Sequence, residues 1–144
     1  MQFREVQGDL FTAPPNEALA HCVSKDLHMG KGIAVPFRQR FGGVPELKDQ
    51  GPEIGKCLTL VRDGRPIYYL ITKVNERYFH FPTEDALRTT LLAMREKMLS
   101  AGVRALNIPR IGCGLDRLNW GRVTAMIRDI FRDDPVVITV YSLE

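Results

Sequence analysis

An apolar run at residues 103–108 (VRALNI) leads into Pro109-Arg110-Ile111-Gly112-Cys113-Gly114-Leu115-Asp116. After it, in residues 120–132 (WGRVTAMIRDIFR), Val123, Met126, Ile127, Ile130 and Phe131 recur at helical spacing. A buried strand entering a helix through a short turn is the repeating unit of α/β sheets, so this stretch constrains the fold more than any other. In an open α/β sheet the C-terminal edge of the strands is where ligands bind, and Gly112 and Gly114 would let backbone N–H groups approach a phosphate closely. Asp116 would then stand at the rim of that pocket. The residues alone leave a plainer alternative, in which both glycines serve a tight turn and Asp116 or Asn119 caps the next helix.

The rest of the chain reads in the same vocabulary. Residues 3–7 (FREVQ) alternate like a half-buried strand that ends at Gly8-Asp9, and residues 18–23 (ALAHCV) form a second strand-length run before a polar, glycine-containing loop. A short helix is predicted from Ala34 or Val35, because Pro36 is tolerated only in a first turn, and Gly42-Gly43 stop it. Residues 57–62 (CLTLVR) and 66–72 (PIYYLIT) flank Asp63-Gly64, a hairpin signal, so this part is antiparallel. Residues 83–101 predict the best helix, with Thr83 as N-cap, Glu84 and Asp85 in the first turn, a core stripe of Leu87, Leu91, Met94 and Met98, and Gly102 beyond its end. Residues 136–143 (VVITVYSL) are rich in β-branched side chains and predict a last strand. No repeat or linker divides the chain, and one mixed α/β layered domain over residues 1–144 is the economical reading.

Composition narrows the function classes. A chain of 144 residues, 44% hydrophobic and 26% charged, suits one domain with a real core. No apolar stretch is long enough to span a bilayer and the first residues lack a signal-peptide core, so a cytoplasmic or nuclear protein is expected, with no membrane association. Cys22, Cys57 and Cys113 are an odd number without metal-ligand spacing, which indicates neither a disulfide framework nor a zinc site and reads as buried small apolar residues. The net charge of +3 is compatible with anionic ligands or nucleic acid, but no Lys/Arg block concentrates it.

The unusual residues fall just after four predicted strands: Asp9, the loop from Ser24 to Ala34, Lys73, and the loop from Pro109 to Asp116. Four decorated strand ends on one edge imply a cleft, and two glycine-containing loops within it imply a phosphorylated or diphosphate ligand. Gly30-Lys31-Gly32 lacks the upstream glycine and Ser/Thr of a P-loop, which argues against an NTPase. Asp9 is placed to accept from an adenine amino group or is a solvated turn residue. Lys73 is a nucleophile if its surroundings keep the amine uncharged, or else a solvated charge at a strand end. His21 reads first as strand filling, with ligand contact as the second option, and His21 and His28 make no metal or triad pattern.

These residues resemble a known family. GDLF at 8–11, LAHCVS at 19–24, MGKGIAVPF at 29–37, FGGV at 41–44, RDGRPIYYLITK at 62–73, PRIGCGLDRLNW at 109–120 and ITVYSL at 138–143 together look like a macrodomain of the terminal ADP-ribose protein glycohydrolase subgroup. The likeness covers nearly the whole chain in order. It implies a three-layer α/β/α fold with a mixed six-stranded sheet that binds ADP-ribose across its crest. It also implies an ADP-ribosyl hydrolase, or O-acyl-ADP-ribose deacylase, needing no cofactor or metal. By that resemblance Asp9 would bind the adenine amino group with Leu10 beside it. Gly30, Lys31, Gly32, Ile33 and Ala34 would wrap the diphosphate and distal ribose together with Ile111, Gly112, Cys113, Gly114 and Leu115. His21, Ser24, Thr72, Pro109, Arg110 and Leu143 would complete the ADP-ribose contacts.

Lys73 matches the subgroup's catalytic lysine in LITK, and Asp116 its catalytic aspartate in GCGLD. The family's proposed chemistry is attack of the lysine at the distal ribose, displacing the carboxylate of a modified glutamate, with the aspartate resolving the lysyl adduct. Expected partners are an ADP-ribosylated protein or an acyl-ADP-ribose metabolite, met by a monomer. Alternatives are a hydrolase of ADP-ribosylated nucleic-acid bases, as in macrodomain antitoxins that resemble this subgroup, and a non-catalytic ADP-ribose reader. Two departures stand out. Lys31 occupies a position where close relatives often carry alanine, although other members carry MGKGIA. Residues 74–82 (VNERYFHFP) hold three aromatics and His80 where a polar, basic linker is expected, and form part of a substrate lid or pack under the next helix.

Overall fold

The computed structural model describes residues 1–75, 83–112 and 118–143. In chain order these form β1 (Gln2–Gln7), a 3-10 turn (Leu10–Thr12), β2 (Ala18–Ser24), α1 (Ala34–Phe41), α2 (Val44–Lys48), β3 (Cys57–Arg62), β4 (Arg65–Lys73), α3 (Glu84–Ala101), β5 (Ala105–Ile108), α4 (Trp120–Ile130) and β6 (Val137–Ser142). The six strands make one mixed sheet in the order β1-β6-β5-β2-β4-β3, parallel except for the antiparallel β3–β4 hairpin. At the hairpin tip Asp63 and Gly64 both take positive φ, 52° and 78°, the combination whose twist matches that of the flanking strands.

Both faces of the sheet are covered, giving the expected three layers. Alternate residues of β4 divide between them. Tyr68 and Leu70 pack with Leu87, Leu91, Met94 and Met98 of α3 and Val123, Met126 and Ile127 of α4. Ile67, Tyr69 and Ile71 pack instead with Leu10, Phe37 of α1 and Leu47 of α2. The α3 stripe is the one its periodicity predicts. Its Thr83 cap also holds: Thr83 accepts from the Ala86 N–H at 3.0 Å, and Gly102 follows the last turn. The pattern missed α2, a five-residue helix with Pro45 in its first turn, which rests on buried Leu47 and a Glu46–Arg62 ion pair of 2.7 Å rather than on local propensity. The strand at 103–108 is shorter than expected, beginning at Ala105, and α4 ends at Ile130 rather than Arg132.

The topology places the cleft. β2 and β5 are neighbours, paired through Ala18 with Leu106 and Leu19 with Asn107 near their starts. From β2 the chain leaves toward α1 on one face, and from β5 toward α4 on the other. A sheet whose adjacent strands send their following loops to opposite faces opens a crevice beyond its C-terminal edge at that point.

Candidate functional site

The ends of β1, β2, β4, β5 and β6 all lie on this one edge, because those strands are mutually parallel. It carries Asp9, the loop from Lys25 to Ile33, Lys73, the turn at residues 109–112 and Leu143. The four decorated strand ends read from the sequence are therefore brought together.

At the β1 end, the Gly8 N–H donates to the Ser142 carbonyl at 2.8 Å, which joins the chain around Asp9 to the end of β6 and exposed Leu143. Asp9 is exposed and caps the 3-10 turn, its Oδ1 accepting from the Phe11 N–H at 3.0 Å, while Leu10 is buried in the core. A fixed carboxylate beside an apolar floor is suited to a base with an exocyclic amino group.

The β2–α1 loop is shaped by its own side chains. Ser24, buried, donates from Oγ to Asp26 Oδ1 at 2.6 Å, and the same oxygen accepts from the His28 N–H at 3.1 Å. Arg38 Nη1 reaches back from α1 to the His28 carbonyl at 3.2 Å. Leu27 and Met29 take φ of 55° and 50°, a left-handed conformation unusual for side chains of this size, and both are 2% exposed. Their burial holds the strained backbone in place and turns His28, Gly30, Lys31, Gly32 and Ile33 outward, all exposed. The loop runs into Ala34 at the N-terminus of α1, where no side chain caps the helix. An exposed, glycine-containing loop followed by a helix start with no side-chain cap suits an anion. Neither Leu27 nor Met29 stood out in the sequence, since a left-handed leucine or methionine leaves no signature in residue type.

Lys73 ends β4. It is half-buried, lies in register with Ser24 and accepts from the Lys25 N–H at its carbonyl, 2.8 Å. The Lys25 ammonium in turn pairs with Glu53 at 2.9 Å. Thr72 beside it is 2% exposed, and its hydroxyl has no hydrogen-bond partner among the described residues. The Pro109–Arg110 turn leads to buried Ile111 and Gly112. Gly112 takes φ of 77°, and a β-carbon there would stand 3.0 Å from Leu118 Cδ1 and 3.3 Å from Leu87 Cδ2. The glycine is required here by the turn, which is the plainer of the two readings its sequence allowed. Cys113, Gly114, Leu115 and Asp116 lie outside the described residues, as do residues 76–82 with His80 and the three aromatics. Asn119 caps α4, as one of the two sequence readings had it, its Oδ1 accepting from the Arg122 N–H at 3.1 Å.

His21 sits below this surface with no exposure. Its ring stacks on Phe37 at 3.7 Å between centroids and meets Tyr69 edge-on at 4.8 Å. Burial pushes its imidazole down to about 3, so it is neutral, and it pushes the Tyr69 phenol up. Strand filling, the first of its two readings, describes this geometry. Of the cysteines, Cys57 is buried, its thiol pushed up to about 12 chiefly by desolvation, whereas Cys22 is half-buried. Among the described residues no cluster of His, Cys, Asp and Glu could hold a metal, and no helix is long and apolar enough to cross a membrane. An apolar groove lined by Thr59, Val61, Pro66, Tyr68, Lys97 and Ala101 opens toward the opposite end of β4 from Lys73 and holds none of the crest residues.

Known proteins share this fold. No family model matches the chain. It is 52% identical over 138 residues to human ADP-ribose glycohydrolase OARD1, covering 96% of this chain and 90% of that protein, and 51% identical to the bovine protein of the same name over the same shares. The macrodomain of Thermus aquaticus DarG superposes with a TM-score of 0.85 at 25% identity over 98% of both chains. That of Mycobacterium tuberculosis DarG gives 0.83 at 25% identity over 97% of both. The chain belongs to the macrodomain family of enzymes that includes ADP-ribose glycohydrolase OARD1.

Proposed function

We propose that this chain is a hydrolase that releases ADP-ribose from acyl-linked ADP-ribosyl groups, on glutamate side chains of proteins or on small acyl-ADP-ribose molecules. The observation that carries the reading is the position of Lys73: a half-buried amine-bearing residue at the end of β4, beside the strained anion-facing loop and the crevice between β2 and β5. Likeness to a glycohydrolase over 96% of the chain supports the same reaction class.

In this reading Asp9 holds the adenine, and the amides of residues 30–34 and of Gly112 face the diphosphate. The distal ribose then lies between them, near Lys73. The Lys73 nitrogen donates its lone pair to the anomeric carbon, the bond from that carbon to the acyl oxygen breaks, and its electron pair leaves with the carboxylate. The nitrogen gives up a proton and the sugar ring opens to a lysyl Schiff base. Water adds to the imine carbon and the carbon–nitrogen bond breaks, returning Lys73 and free ADP-ribose, while Asp116 carries the protons. Only an uncharged amine begins this sequence.

The test is chromatographic release of ADP-ribose from a glutamate-linked mono-ADP-ribosylated protein by the native chain, Lys73→Ala and Asp116→Ala. Release abolished by both substitutions, with ADP-ribose binding retained, is the expected result. Tight binding without release by the native chain would instead indicate a reader, or a different carrier such as an ADP-ribosylated oligonucleotide, which the same assay accepts as substrate.

A further inference from the structure

Three further contacts converge on the two described stems of the loop between β5 and α4. Trp120, the first residue of α4 and the one tryptophan of the chain, donates from Nε1 to Glu5 Oε1 of β1 at 2.8 Å. The Arg110 guanidinium lies 5.9 Å from the centroid of the same indole. Between these residues, the Leu118 N–H donates to the Gly112 carbonyl. The two stems of the loop are thus joined twice, by a hydrogen bond at 112–118 and by the guanidinium over the indole at 110–120. The outer contact is tied to a third element, an edge strand remote in sequence.

We infer that Glu5, Trp120 and Arg110 form a clasp that positions the backbone of residues 110–112 beyond β5 for the ligand, making Glu5 and Trp120 positioning residues for the hydrolase. This rests on the reading of the crest as the ADP-ribose site. The indole is fixed on one side by the core, against which it packs, and its N–H is aimed by the Glu5 carboxylate. Its orientation therefore sets where Arg110, and with it the backbone of Ile111 and Gly112, stands. Glu5 belongs to β1, which ends at Gln7 two residues before Asp9, so one network fixes the distance between the proposed adenine carboxylate and the Gly112 backbone on the diphosphate side. Displacements of about an ångström in such positioning groups are enough to cost a large part of the rate.

The experiment compares Glu5→Leu, Glu5→Gln and Trp120→Phe with the native protein by calorimetric ADP-ribose affinity, KM and kcat, amide exchange at Ile111, Gly112 and Leu118, and thermal midpoint. Glu5→Leu and Trp120→Phe should each weaken ADP-ribose binding and raise KM by roughly fivefold, the effect of one lost hydrogen bond, with a smaller change in kcat. Both should speed exchange at those amides. Glu5→Gln keeps the acceptor and should stay within about twofold of native. Lower thermal midpoints with unchanged affinity and exchange in Glu5→Leu and Trp120→Phe would show a purely structural contact and overturn the proposal. If the native protein itself binds no ADP-ribose, the proposed function fails, and exchange alone then decides the clasp: faster exchange in Glu5→Leu, restored in Glu5→Gln, supports it, and unaltered protection sinks it.

Discussion

At the scale of single residues, His21 shows a titratable ring used as an aromatic plate. Neither ring nitrogen has a hydrogen-bond partner among the described residues, and Phe37 and Tyr69 enclose it. Its folded-state value near 3 lies below the ordinary 6.5, so below pH 6.5 the unfolded chain binds a proton that the folded chain does not. Stability is therefore complete above pH 6.5 and is lost as pH falls toward 3, by up to about 1.4 kcal/mol per pH unit. Urea unfolding between pH 7.5 and 5 should show this slope in the native protein and lose it in His21→Leu; equal slopes would contradict it. Gly112 gives a second test. Gly112→Ala meets Leu118 and Leu87 and forces a side chain into left-handed backbone, so it should cost about 1–2 kcal/mol in unfolding and weaken ADP-ribose binding measured by calorimetry. Residues whose role is local were legible in the sequence: the Thr83 cap, the Asp63-Gly64 turn and Lys73 at its strand end. Leu27, Met29 and the Glu5–Trp120 contact were not, because their roles depend on partners and backbone angles that residue type does not encode.

At the scale of elements, β3 is an edge strand, and the middle of its exposed side is covered by one side chain. Gln50, just past α2, accepts from the Thr59 N–H at 3.0 Å and donates to the Thr59 carbonyl at 2.8 Å, so its carboxamide takes the place a neighbouring strand's peptide would fill. Unpaired edges template association with another chain. Gln50→Ala should therefore lower stability by about 1–2 kcal/mol and increase self-association seen by light scattering at high concentration, and unchanged scattering would show that the edge is protected otherwise. The same region explains why α2 escaped the periodicity. A five-residue helix has too few turns to show a repeat, and Leu47 and the Glu46–Arg62 pair, both tertiary, hold it. Long elements with many repeats, such as α3, were read nearly to the residue.

For the whole molecule, the alternation of strand-length runs and helical stripes made a layered α/β domain legible, and the motifs carried the likeness to macrodomains. The strand order was not legible from the residues themselves, since the pairing of β2 with both β4 and β5 joins segments far apart in the chain, and it is this order that opens the crevice. Placing Lys73 beside that crevice is the central claim, and covalent trapping tests it most directly. Borohydride added while the native protein turns over a glutamate-linked ADP-ribosylated substrate should reduce the Schiff base, and peptide mass mapping should find ADP-ribose on Lys73, with no adduct in Lys73→Ala. Turnover with no adduct at Lys73, or an adduct found only on another residue, would contradict the lysine mechanism.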